Sequence, residues 1–188
     1  MSKFFDSSLS FIESDKKGFD IFLDLKLHDI PNTVKKCIEG LTSLPIKMLT
    51  VHTSGGKDMM VAAMEAVSGT DIKVFGVTVL TSLNDDDTSV IFKRISSEQV
   101  EAMLEEAELA GIDGVVCSPY ELELVSKRKS LLSITPGIRL KNSNDDQKRV
   151  MTPREALDLG TDYLVIGRPI TTSEDIKKSF EEIYQSIQ

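Results

Sequence analysis

The sequence predicts an α/β fold with parallel strands, of the (β/α)8 barrel type, with about six of the eight βα units present in the chain. Three observations point there. First, six β-rich runs occur, each followed by a helical segment, and parallel strands need such crossovers. Second, polar and glycine residues gather just after nearly every run: Asp24/Lys26/Asp29, Ser54-Gly55-Gly56, Thr81-Ser82, Ser118, Arg139 and Gly167-Arg168. A ring of functional strand ends marks a barrel. Third, a doubly wound sheet usually shows a glycine-rich turn after its first strand, and none stands here. The hydrophobic pattern fits both architectures; the placement of the polar residues separates them.

Residues 6–17 read as a helix with Leu9, Phe11 and Ile12 as its apolar stripe and Gly18 as its stop. The first strand begins at Phe19, and Pro31 ends its reach because it cannot donate to a ladder. Pro31 also suits the first position of a helix, whose buried stripe is Val34, Cys37, Ile38 and Leu41. Residues 47–53 form the second strand and residues 59–67 an Ala- and Met-rich helix, in which Met59, Met60 and Met64 fill core. Residues 73–80 form the third strand. Residues 84–87 read as a solvated acidic loop before a short helical piece over 90–94. Ser96 and Gln99 suit a capping box for a helix through Ala110, with Gly111 beyond its end. Residues 114–117 are a short buried strand, and Pro119 opens a helix. Residues 131–135 form the fifth strand, which runs into Pro136-Gly137-Ile138-Arg139, and residues 141–147 form a polar loop. Thr152, Pro153 and Glu155 mark a helix start, residues 163–166 the last strand, and residues 173–187 the last helix. With no linker or composition shift, residues 1–188 are expected to form one domain.

At 188 residues the chain is long enough for a sizeable core. Apolar residues make up 40% and charged residues 28%, as in a soluble globular protein. Lys plus Arg number 22 against 30 Asp plus Glu, a net charge of −8. That balance argues against non-specific nucleic-acid or anionic-membrane binding, though a local basic pocket can still take an anionic small molecule. Cys37 and Cys117 make neither a disulfide framework nor a metal-ligand spacing, which fits a reducing cytoplasm. The sequence shows no signal-peptide core at its start and no apolar run long enough for a membrane span.

Residues 19–33 carry the densest chemistry. Strict alternation puts Ile21, Leu23, Leu25 and Leu27 on one face and Phe22, Asp24, Lys26 and His28 on the other. An Asp and a Lys on one face of a strand are costly to bury unless they pair. A structural ion pair would account for them, but two carboxylates, Asp24 and Asp29, bracketing one lysine more often serve chemistry. A lysine so held stays protonated and acts as a proton donor or charge anchor. His28 reads as a hydrogen-bonded strand-end histidine at least as readily as a catalytic one, and His52 reads as structural. The two late loops, P-G-I-R and I-G-R-P, join glycine with arginine, a pairing that suits phosphate at the last strands of a barrel. A surface salt bridge is the alternative for either arginine singly, and finding both directly after the last two strands weakens it. Gln147 reads as a solvated glutamine in a loop able to close over an anion.

These residues carry a resemblance. D-L-K-L-H-D-I-P-N-T, V-H-T-S-G-G, V-T-V-L-T-S, P-G-I-R, D-D-Q-K-R-V-M-T-P and I-G-R-P-I occur in the order seen in bacterial orotidine 5′-phosphate decarboxylases. The chain resembles that family over essentially its whole length. The resemblance implies a (β/α)8 barrel, usually a homodimer, that converts orotidine 5′-phosphate to UMP and CO2 in pyrimidine synthesis without metal or cofactor. It implies Lys26 as proton donor to C6 of the pyrimidine and Asp24 beside the leaving carboxylate. Asp29 is expected to reach the partner subunit's site. Thr33 and Thr81 would join the substrate-binding residues, with Thr81 on the pyrimidine, and Arg139, Gln147, Gly167 and Arg168 would hold the phosphate.

The family also has a strand–helix–strand before the stretch matching Met1, bearing an Asp and a Lys of the site. Weak or absent turnover is therefore expected of this chain. Related phosphosugar lyases of the same barrel share the Asp-x-Lys-x-x-Asp spacing but lack H-D-I-P-N-T; metal dependence would reveal one. A non-catalytic nucleotide-binding protein is the other alternative, marked by binding of UMP analogues without turnover.

Overall fold

Six strands, parallel within each ladder, alternate with helices through the described residues, 18–139 and 151–188, of this computed structural model. The helix expected over residues 6–17 and the loop over 141–147, with Gln147, lie outside the described residues. The chain divides into two compact units. One is Met1–Val77 with Glu106–Asp113, and the other is Thr78–Glu105 with Gly114–Gln188.

In the first unit, β1 (Ile21–Leu27), β2 (Ile46–His52) and β3 (Lys73–Val77) pair in sequence order, all parallel. Helix α1 (Pro31–Glu39) connects β1 to β2 and α2 (Lys57–Val67) connects β2 to β3. Pro31 takes the first position of α1, where its missing N–H costs nothing. Leu49 and Val51 of β2, Val74 and Phe75 of β3, and Met59, Met60 and Ala63 of α2 are buried without remainder. Each large side chain so removed from water contributes roughly 1.5–3 kcal/mol. Met59 and Met60 thus fill core as expected, while Met64 is only half-buried. Strand β3 stops at Val77, short of the expected Leu80, because its ladder ends where Val77 meets His52, the last residue of β2.

The second unit holds β4 (Gly114–Val116), β5 (Leu132–Thr135) and β6 (Tyr163–Leu164), again parallel and in sequence order. The acidic stretch at 84–87 is not a solvated loop. It starts α3 (Asp85–Phe92): the Asn84 side chain accepts the Asp87 N–H at 2.9 Å, and the Asp87 carboxylate accepts the Asn84 N–H at 3.0 Å. Negative charge there meets the helix N-terminus. Asp85 also accepts the Ser96 N–H, at 3.0 Å, where α4 (Ser96–Ala110) begins. Pro119 opens a 3-10 turn that leads into α5 (Leu122–Ser126). Thr152 and Glu155 cap α6 (Pro153–Asp158) reciprocally, and their hydrogen bonds hold the Glu155 carboxyl below its ordinary range. After β6 come α7 (Arg168–Thr171) and α8 (Ile176–Ser186). Helix α8 starts later than expected because Asp175 caps it by accepting the Lys178 N–H at 2.9 Å. No helix of the described residues is long and apolar enough to cross a membrane.

Candidate active site

Strand β1 does not keep strict alternation to its end. Leu23 lies beside Leu49 and Leu27 beside Val51, so four steps along β1 match two along β2. Within that bulge Lys26 has φ +52°, the left-handed region, and Leu25 is 43% exposed, while Leu23 is half-buried. A non-glycine residue there costs about 1–2 kcal/mol, which neighbouring bonds must offset. Bulges of this kind re-aim side chains beside active sites.

Asp24 and Lys26 still meet. The Lys26 ammonium donates to Oδ2 of Asp24, with both side chains roughly half-buried. A third residue completes the arrangement. Thr50, fully buried on β2, accepts the Lys26 backbone N–H at 2.8 Å and donates its hydroxyl to Oδ1 of Asp24, also at 2.8 Å. Reading the sequence missed Thr50. It sits mid-strand in K-M-L-T-V-H-T, where a threonine is ordinary strand chemistry. Only the register between β1 and β2 puts it under the pair.

Asp29 does not close on Lys26 as the second bracket. Its carboxylate accepts the N–H of Ile30 at 2.7 Å, where the chain turns into α1. Thr33, exposed in the first turn of α1, donates its N–H to the Ile30 carbonyl at 3.0 Å. The rings of His28 and His52 lie 5.3 Å apart between centroids. Burial, then the charges of His28 and Lys26, hold His52 below its ordinary 6.5, while Asp24 pulls the other way. Gly55 lets this corner close: a Cβ there would stand 2.2 Å from Sδ of Met59 and 3.2 Å from Cδ2 of His28.

The second unit holds Thr81, Arg139, Gly167 and Arg168. Thr81 is half-buried in the turn after β3. Arg139 is buried; its N–H donates to the Met151 carbonyl at 3.0 Å and its Nη1 to the Ile138 carbonyl at 2.9 Å. Gly137, at φ +81°, makes the turn that brings Ile138 to its bridge with Met151. Gly167 and Arg168 are exposed at the start of α7, and a Cβ on Gly167 would meet open space. Just after β4, Ser118 is fully buried. Its N–H donates to Glu121 at 2.9 Å, but its hydroxyl finds no hydrogen-bond partner among the described residues. The neighbouring Cys117 thiol is pushed up by burial and by Glu121, which makes it a poor nucleophile.

Known proteins share this arrangement of the chain. Residues 4–183 match the family model described as Orotidine 5′-phosphate decarboxylase / HUMPS family. The orotidine 5′-phosphate decarboxylase of Ehrlichia chaffeensis is 49% identical over 174 residues, covering 90% of this chain and 75% of that protein. That of Staphylococcus saprophyticus is 45% identical over 197 residues, covering 99% and 84%. A crystal structure of orotidine 5′-phosphate decarboxylase from Lactobacillus acidophilus superposes with a TM-score of 0.79 at 34% identity, covering 94% of this chain and 79% of its own. The α/β fold of barrel type expected from the six strand–helix units therefore stands, and the chain belongs to the orotidine 5′-phosphate decarboxylase family.

Proposed function

We propose that this chain decarboxylates orotidine 5′-phosphate to UMP and CO2, with Lys26 as the proton donor. The observation that carries the reading is the Asp24–Lys26 pair at the end of β1, held on one side by Thr50. The bond from C6 to the carboxylate breaks, CO2 leaves, and the electron pair stays on C6. The Lys26 ammonium stabilises that charge from a fixed position and then gives C6 its proton. Asp24 stands beside the leaving carboxylate and keeps the ammonium in place.

The phosphate is remote from C6, and its binding energy supports positioning. Arg139, Gln147, Gly167 and Arg168 hold it. The open space beside Gly167 supports close approach of a ligand to that backbone. Thr81 contacts the pyrimidine, and the unpartnered hydroxyl of Ser118 offers a second polar contact. Residues 1–188 act as one domain, working as a cytoplasmic homodimer in which Asp29 serves the partner's site, and Thr33 joins the substrate-binding residues. The bond from Asp29 to Ile30 leaves Lys26 to Asp24 within the chain and supports that assignment.

Turnover of orotidine 5′-phosphate, measured for each variant relative to the unsubstituted chain however slow that is, tests the reading. Lys26→Ala is expected to lower kcat at least about 100-fold, the scale of a lost proton donor. Mixing Lys26→Ala with Asp29→Ala chains is expected to restore about a quarter of wild-type activity. A heterodimer of the two carries one intact site. Full activity in Lys26→Ala overturns the mechanism, and no recovery on mixing overturns the shared site.

A further inference from the structure

We propose that Thr50 is a positioning residue for the decarboxylation, holding both partners of the Asp24–Lys26 pair through a single hydroxyl. The inference rests on the function proposed above.

A hydroxyl has one proton to donate. Thr50 spends it on Oδ1 of Asp24, at 2.8 Å, while its oxygen accepts the Lys26 N–H, also at 2.8 Å. The two bonds do different work. The first turns the carboxylate so that its other oxygen, Oδ2, faces the ammonium. The second holds the backbone of Lys26 at φ +52°, a conformation its side chain does not favour. The direction of the Lys26 stem follows from that backbone. One buried side chain therefore sets both where the proton donor starts and where its counter-ion stands.

Thr50 can do this because it is rigid. Its side chain is β-branched, fully buried, and carried by the middle of β2, which is paired on both sides. Asp24 and Lys26 are each roughly half-exposed and would otherwise sample several rotamers. Preorganisation of charged groups by a buried neighbour raises the rate without adding a contact to the substrate.

Thr50→Val keeps the shape and removes the hydroxyl, and Thr50→Ser keeps the hydroxyl and removes a methyl. In proteins shown folded by thermal melting, Thr50→Val is expected to lower kcat about tenfold to a hundredfold. KM and the affinity for UMP should change by less than about threefold, because Thr50 does not touch substrate. Thr50→Ser is expected to keep kcat within about threefold. A packing role would give the opposite order, since serine leaves the cavity and valine does not. Wild-type kcat in Thr50→Val, beside an inactive Lys26→Ala, overturns the role of Thr50 and leaves the reaction standing. An active Lys26→Ala overturns the functional reading instead.

A second measurement decides Thr50 without turnover. Acetylation of Lys26 by N-hydroxysuccinimide acetate, followed by peptide mass spectrometry, is expected to run several-fold faster in Thr50→Val than in wild type or Thr50→Ser. Equal rates in all three overturn the inference.

Discussion

The imidazole of His52 lies against that of His28, with ring centroids 5.3 Å apart and planes tilted by 50°. His52 closes β2, and its neighbours include the ammonium of Lys26. Burial and those positive neighbours oppose a proton on His52, so its folded value lies below the ordinary 6.5.

A pH dependence of stability follows from the sign of that shift. Above 6.5 neither the folded nor the unfolded chain carries the proton, and His52 has no effect. As pH falls through 6.5 the unfolded chain binds it first, so stability drops until the folded value is passed. Urea midpoints measured between about pH 5 and 7.5 check this. The wild type should lose more stability toward low pH than His52→Gln does. Equal slopes for the two proteins would sink the assignment.

Gly76 is needed for packing. A Cβ on Gly76 would stand 2.5 Å from Cγ2 of Thr53 and 2.8 Å from Cδ1 of Ile112. Thr53 is buried and pinned, because its hydroxyl donates to the Val77 carbonyl at 2.7 Å. Gly76→Ala is therefore expected to destabilise the protein by about 1–3 kcal/mol, which outweighs the roughly 0.5–1 kcal/mol that alanine gains in backbone entropy. Thr53→Ser in the same chain removes the offending methyl and should recover part of the loss in urea denaturation.

Ser118 gives the opposite case. Its buried hydroxyl makes no full hydrogen bond among the described residues but faces the Glu121 N–H as the N-cap of the following turn, so removing it takes away a desolvated group and a weak cap together. Ser118→Ala should melt close to the wild-type temperature. If the hydroxyl meets the pyrimidine, the same variant should bind UMP about fivefold more weakly, the scale of one neutral hydrogen bond. Calorimetry reads both quantities. A large fall in melting temperature would show that the hydroxyl is already satisfied in the fold.

Much of this was legible in the residues. The order of six strand–helix units, Pro31 as a helix start, and the Thr152–Glu155 cap all follow from local chemistry that acts within a few positions. The acidic run at 84–87 was misread because a cluster of aspartates looks the same in a solvated loop and at a helix N-terminus. Its role depends on the Asn84–Asp87 exchange and on the Ser96 N–H eleven positions beyond Asp85.

The sequence by itself determined the resemblance to the family and the order of the six strand–helix units, and it put Asp24 and Lys26 two positions apart on one strand, near enough to pair. Tertiary structure alone decided how that pair is aimed. The two-residue bulge in β1, the left-handed Lys26 and the Thr50 hydroxyl beneath both depend on register with a second strand. Register is set by which side chains of β1 and β2 bury together, a choice made between segments some 25 residues apart that neither segment records alone.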